Sequence, residues 1–215
     1  MRKLIILCVL LLSSFNMQAQ QNINSVILSL PDHIIYGLEA SQKDLLVTAD
    51  PADTSVVTIS TNLYSNIRRL SITDTYVSLQ TSDVSTTQIK LLPLVNNSRI
   101  ICVVKTVCGG VCDSRISFYT TDWKPIVSSD LFPARRIDWF IKEDADRNSD
   151  TFINAIAALD MTPMRISLSG TSDIATVSYN IKSYLSEDDY KLLQPFLKEE
   201  DKVLTWDKIS FKEEN

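Results

Sequence analysis

The chain has 215 residues, of which 45% are hydrophobic and 22% charged, and its formal net charge is −5 with a single histidine. That length supports one ordinary domain or two small ones with a core of its own. The acidic balance, with no basic stripe, argues against partners that are themselves polyanions, such as nucleic acid or an anionic lipid surface.

The first element is a leader. Arg2 and Lys3 form a positive start, Leu4 to Leu12 an unbroken apolar run, Ser13, Ser14 and Asn16 its end, and Ala19 a small residue at a cut site. Residues 1–19 therefore read as a cleaved secretory signal peptide. The apolar run falls short of the roughly 20 residues a spanning helix needs. No later segment reaches that length, so no stable membrane span is expected after cleavage. Cys8 lies inside the apolar run rather than after it, which is not where a lipid-modified cysteine stands.

Residues 20–30 read as a lead-in. A helix is expected from Ser29 to about residue 47, with Ser29 as cap, Pro31 and Asp32 in the first turn, and Ile34, Ile35, Leu38, Leu45 and Leu46 on one stripe. From Ser55 the period becomes two. Strands are expected at Val56–Ser60, Ile67–Ile72, Tyr76–Gln80, Gln88–Leu94, Arg99–Val107 and Asp113–Thr121, separated by turn-forming polar residues. Nothing helical fits between them, so they form a meander rather than βαβ units. Residues 128–150 read as a connector. Then come a short helix from Asp150 to Leu159, and a hairpin of Arg165–Ser169 with Ile174–Ile181 around Gly170. A helix capped at Ser186 is disturbed by Pro195, and one last strand spans Val203–Phe211, with Leu204, Trp206 and Ile209 turned inward. Scarce glycine and many β-branched residues favour strands. The expected fold is α+β, a mostly antiparallel meander with helices near the N-terminus and in the C-terminal third. Residues 20–127 form one part, and residues 151–215 a second part packed on it.

The most informative local feature is Cys102 followed by Cys108-Gly109-Gly110-Val111-Cys112. A three-residue glycine loop joins antiparallel strands and sets Cys108 opposite Cys112. The same register pairs Thr106 with Ser114, Val104 with Ile116 and Cys102 with Phe118, which makes one continuous apolar face. It also sets Lys105 against Arg115, a like-charge pair that needs a third-strand acid or outward exposure. Three readings compete: a structural Cys108–Cys112 disulfide beside a buried Cys102 thiol, a redox-active pair, and a metal site. A redox pair ordinarily sits at a helix N-terminus, and here a strand follows. A metal site lacks nearby histidine.

Other candidates have plainer readings. His33 sits beside Asp32 with no nucleophile motif to serve. Asp144, Asp146, Asn148 and Asp150 alternate as calcium ligands do, but Ser149 replaces the turn glycine and Ala155 the bidentate acid. Trp123 and Trp139 are a possible ligand surface if exposed together, although aromatic residues at strand ends more often belong to a core. No cofactor loop is present, and catalysis is less expected than binding.

One set of segments carries a resemblance. Lys90-Leu91-Leu92-Pro93-Leu94, Arg99 to Val104, Thr106-Val107-Cys108 and Cys112 to Pro125, with Leu30-Pro31-Asp32 and Tyr184 to Asp189, resemble an uncharacterised family of exported proteins from Bacteroidales-type bacteria. The resemblance implies a Gram-negative envelope protein, periplasmic or outer-membrane-associated, and a shared structural role for the hairpin. It supplies no catalytic residue. The function expected is a non-catalytic binding or assembly module whose partner is an envelope protein or glycan. The alternative is a thiol-disulfide redox protein using Cys108 and Cys112.

Overall fold

The computed structural model describes residues 21–48, 57–60, 66–127 and 129–213. The leader at 1–19 and position 56 of the first strand lie outside them. The fold is α+β, in three layers. A seven-stranded antiparallel meander lies in the middle, with two helices on one face and a four-stranded sheet on the other.

The strands of the large sheet are β1 (Val57–Ser60), β2 (Asn66–Ile72), β3 (Tyr76–Ser82), β4 (Ser85–Pro93), β5 (Arg99–Gly109), β6 (Val111–Tyr119) and β7 (Pro125–Ile126), ordered as in the chain. Its central strands are covered on both faces, so they read as apolar runs rather than as strict alternation. Val77, Leu79, Ile89, Leu91, Ile101 and Val103 face the helices. Tyr76, Leu92, Ile100, Cys102, Val104 and Phe118 face the small sheet.

On the helix side lie α1 (Ile23–Leu28) and α2 (Ala40–Thr48). Here the structure corrects the single helix expected from Ser29. Asn22 caps α1, its side chain accepting from the Ser25 amide, and Ser29 is the C-terminal cap rather than the start. Pro31 has no N–H with which to continue α1. Gly37, at φ 76°, turns the chain before α2 in a conformation that a residue with a Cβ rarely adopts. The burial pattern survives the break: Ile34, Ile35, Leu38 and Leu46 are buried, and Leu45 is exposed. Arg69, buried on β2, donates from Nη1 to the Leu46 carbonyl at 2.6 Å and so closes the last turn of α2.

The small sheet is built from β8 (Arg165–Leu168), β9 (Ile174–Ser178), β10 (Lys202–Trp206) and β11 (Phe211–Glu213), in the order β11-β10-β9-β8. The single last strand expected over 203–211 is therefore a hairpin. The Asp207 carboxylate accepts from the amides of Ile209 and Ser210, Lys208 takes φ 75°, and Ile209 is 62% exposed at the turn instead of buried. Between β7 and β8 stand a 3₁₀ turn at Ile137–Phe140 and α3 (Asp150–Ala157), capped by Ser149. Between β9 and β10 stands α4 (Glu187–Leu193), capped by Ser186; at Pro195 it tightens into a 3₁₀ turn, Gln194–Phe196. No described helix is long and apolar enough to cross a membrane.

The outer edge of β8 is its free strand edge, and it lies against the face of the large sheet. Met164, Ile166 and Leu168 turn their backbone groups that way. The Gln88 side chain accepts from the Leu168 amide at 2.8 Å and donates to the Ile166 carbonyl at 3.3 Å. Ser114 Oγ accepts from the Ile166 amide, and Asp113 from the Met164 amide. The Met164 carbonyl receives the Ser114 amide. An edge that other chains would otherwise extend is closed from within. At the β8–β9 turn, Gly170 lets the backbone approach the Tyr76 ring, since a Cβ there would stand 3.2 Å from the ring.

Candidate functional site

The cysteine hairpin has the register expected. Cys108 faces Cys112, Thr106 faces Ser114, Val104 faces Ile116, and Cys102 faces Phe118. Cys108 gives its amide to the Val84 carbonyl on the other side, which places it at a non-hydrogen-bonded position opposite Cys112, the closer of the two antiparallel spacings. The Cα atoms are 4.0 Å apart and the sulfurs are joined. Both flanks of the disulfide are strand, and Gly110 makes the turn at φ 87°. Lys105 does face Arg115, and both are exposed, so solvent rather than an acid relieves the repulsion. The repulsion still leaves a trace: burial first, then Arg115, lowers the Lys105 pKa.

Cys102 is a free thiol, fully buried between the sheets, and burial pushes its pKa well above that of an ordinary thiol. Beside it on β4 is Lys90, 1% exposed. The Lys90 amine donates to the Ser169 carbonyl at 3.0 Å and lies 3.5 Å from the Asp173 carboxylate, both in the β8–β9 turn. Burial lowers the Lys90 pKa, and Asp173 partly offsets that. The pair ties the small sheet to the large one.

The two tryptophans singled out from sequence do not share a surface. Trp123 and Trp139 are each 7% exposed, Trp123 in the core on the helix side and Trp139 in the core between the sheets. Trp123 stands in the β6–β7 turn at φ 61°, its indole donating to Ser29 Oγ, while the Trp139 indole donates to Glu213. His33 lies in an exposed turn, its ring 6.1 Å from that of Tyr119. Asp146 accepts from the Asn148 amide in the turn that leads to the Ser149 cap of α3. Among the described residues, no group of three His, Cys, Asp or Glu side chains is placed to hold a metal ion.

What tertiary structure adds is a cleft of about 680 Å³ in the C-terminal third. The amide of Lys142 donates to the Phe196 carbonyl and that of Lys198 to the Phe140 carbonyl, which sets Ile141 beside Leu197 as a short bridge. That bridge brings Lys142 and Lys198 to one mouth. The chain leaving β9 supplies Tyr179 and Lys182, and α4 supplies Tyr190. The Tyr179 ring stacks on Phe140 with centroids 5.3 Å apart. Its hydroxyl is buried and has no hydrogen-bond partner, and burial pushes its pKa up to about 12, so it is a neutral O–H donor. Lys142 Nζ donates to the Pro195 carbonyl at 2.7 Å, Lys182 lies over the Tyr190 ring at 5.7 Å, and Lys198 pairs at 3.2 Å with Glu143, a side chain 92% exposed. Chemically the cleft is a set of N–H and O–H donors, with the apolar Ile181 and Leu197 and the exposed acids Glu199 and Glu200 also in its lining.

Sequence reasoning missed this cleft. Its one advance signal was the parity of β9, which places Tyr179 on the same side as the buried Ala175 and Val177. A second, smaller groove of about 320 Å³ runs beside the hairpin, where Val107 and the 70% exposed Tyr36 stand at the surface.

Fold and site together define an α+β protein with a helix-backed meander sheet, a disulfide-pinned hairpin and a donor-lined cleft. The chain belongs to the family described as "Protein of unknown function (DUF3256)", whose model matches residues 14–211. It is also similar in structure to a domain of an uncharacterized protein from Porphyromonas gingivalis W83, with 29% identity and a TM-score of 0.80 over 89% of this chain and 98% of that one. Comparison with curated proteins finds no match.

Proposed function

We propose that this chain is exported and serves as a non-catalytic binding module of a Gram-negative cell envelope, with the lysine–tyrosine cleft as its ligand site. The observation that carries the reading is the cleft itself. It has the volume of a small-molecule site, it gathers three lysines and a buried, unpartnered tyrosine hydroxyl from separate segments, and no serine, cysteine or histidine is among its described lining residues. Those donors are equipment for holding a polar ligand. Export is supported by the leader at residues 1–19 and by a disulfide that an oxidising compartment preserves. The partner is an envelope glycan or protein.

The test has two parts. Mass spectrometry of the protein made in a Gram-negative host is expected to find the mature N-terminus at Gln20 and the chain in the envelope fraction. A cytoplasmic chain with an intact leader removes the localisation. A thermal-shift screen of envelope glycans and peptides is then expected to yield ligands that compete with one another at the cleft. The alternative, a thiol-disulfide redox protein using Cys108 and Cys112, rests on the position of that half-buried bond at a hairpin tip. It takes over if a glutathione-type buffer opens the bond while the fold persists and the reduced protein then reduces a test disulfide.

A further inference from the structure

We infer that the cleft recognises a small hydroxylated carboxylate, the chemistry of a sugar acid, with Tyr179 and the lysines on the carboxylate and Glu199 and Glu200 on the hydroxyls. The inference rests on the reading of the cleft as a ligand site and goes one step further, to the ligand's chemical class.

Charge is the first argument. The protein as a whole is acidic, yet this cleft is lined by three lysines against two glutamates. Those lysines are only partly committed. Lys142 spends one of its three protons on the Pro195 carbonyl, Lys182 rests on an aromatic face, and the carboxylate that holds Lys198 is itself almost fully in solvent. An incoming carboxylate therefore meets ammonium groups without displacing a buried ion pair. Tyr179 is the second argument. A buried hydroxyl without a partner costs stability, and a ligand oxygen that accepts its proton restores the missing bond. Ionised phenolate is not available at neutral pH, so the group meets the ligand as a donor. The hydroxyl is covered in this structure, so the contact requires side chains of the cleft lining, of which Lys142 and Lys182 are exposed and Lys198 half-buried, to shift. The acids are the third argument. Glu199 and Glu200 are exposed acceptors in the same lining; they repel a bare dianion but accept from hydroxyl groups. A ligand with one carboxylate and several hydroxyls matches both signs, and a volume of about 680 Å³ accommodates a sugar-sized body.

A free sugar acid and the acidic unit of a polysaccharide share this chemistry, so the experiment uses both. Calorimetric titration of the mature chain with glucuronate, with a short oligoglucuronide and with glucose is expected to show saturable binding of the two acids and at least about ten-fold weaker binding of glucose. An oligomer that binds more tightly than the monomer identifies the polymer as source, and equal affinity identifies the free acid; both uphold the carboxylate. Tyr179→Phe keeps the stack on Phe140 and leaves no polar atom stranded. It is expected to weaken glucuronate binding about ten-fold while the thermal midpoint stays level or rises. Lys182→Gln is expected to weaken it similarly without loss of fold. Glucose binding as tightly as glucuronate overturns the inference and leaves the proposed ligand site standing. Unchanged affinity in both variants overturns it as well. No binding by any of the three probes up to about 10 mM brings down the inference, while hits from the glycan and peptide screen that compete at the cleft would keep the broader reading.

Discussion

The two faces of the large sheet are covered in different ways, and the difference explains where this protein buries polar groups. Helices cover one face. A helix satisfies its own backbone, so the strand residues beneath α1 and α2 are nearly all apolar, and basic side chains engaged there reach carbonyls of the covering layer, Arg69 at Leu46, Lys43 at Leu30 and Arg99 at Gln21. A second sheet covers the other face, and it arrives with an open edge. Strand β8 presents unpaired amides and carbonyls to that face, which accordingly carries Gln88, Ser114 and Thr106 in buried positions, with Lys90 reaching the adjoining turn. The polar side chains there are the hydrogen-bonding edge that β8 lacks, not defects in a core.

The sharpest way to break that comparison is Gln88→Leu, which keeps the volume but strands the Ile166 carbonyl and the Leu168 amide. A loss of about 3 kcal/mol in urea unfolding is expected; a loss under about 1 kcal/mol means that the β8 edge needs no partner. Removing the hairpin pin by a double Cys108→Ser, Cys112→Ser change is expected to cost about 2 kcal/mol, because the closed loop is short, and to leave the circular dichroism of the sheet unchanged. Asp173→Asn leaves the buried Lys90 amine without its counter-charge. Since Asp173 is 39% exposed, the cost is expected to be only about 1–2 kcal/mol, whereas Lys90→Met is expected to fall within about 1 kcal/mol of the parent. Should Lys90→Met prove the worse of the two, the amine holds the turn by more than charge. On the helix face, Ile89→Val, one residue away from Gln88 in sequence, is expected to cost about 1 kcal/mol as a simple loss of packing.

The smallest effect is a pH dependence. The folded state holds the Tyr179 proton more tightly than the unfolded chain does, its pKa having risen from 10.0 to about 12. Its contribution is therefore complete below pH 10 and is lost as pH rises from 10 to about 12. The urea midpoint is expected to fall over that range, and to fall less steeply for Tyr179→Phe. Lys90 works in the opposite direction: its lowered pKa means that the cost of burying its charge is relieved as pH rises toward 10.5. The Lys90→Met background should therefore show a steeper fall.

Much of the meander was legible because its signals are local. Alternation, glycine at the tip and the apolar face of Cys102, Val104, Ile116 and Phe118 all point to one register, and a slip by one residue would have turned that face outward. Two local signals were passed over. Asn22 with Ile23, Val26 and Ile27 has the cap and spacing of a helix, and Asp207 ahead of Lys208 to Ser210 has the chemistry of a turn. Trp123 and Trp139 could not be separated by sequence, because which face of a sheet a turn folds back onto is decided by the chain packed there.

By itself the sequence determined the antiparallel order of β1 to β6, the pairing of Cys108 with Cys112 and the cap of α4, since each depends on neighbours a few residues apart. Only tertiary structure decided that β8 lays its edge on Gln88 and Ser114, that Lys90 finds Asp173, and that Lys142 meets Lys198 across the Ile141–Leu197 bridge to form a cleft. Those contacts join segments more than 50 residues apart in the chain, and a pattern read along a chain carries no record of which distant backbone will come to lie beside it.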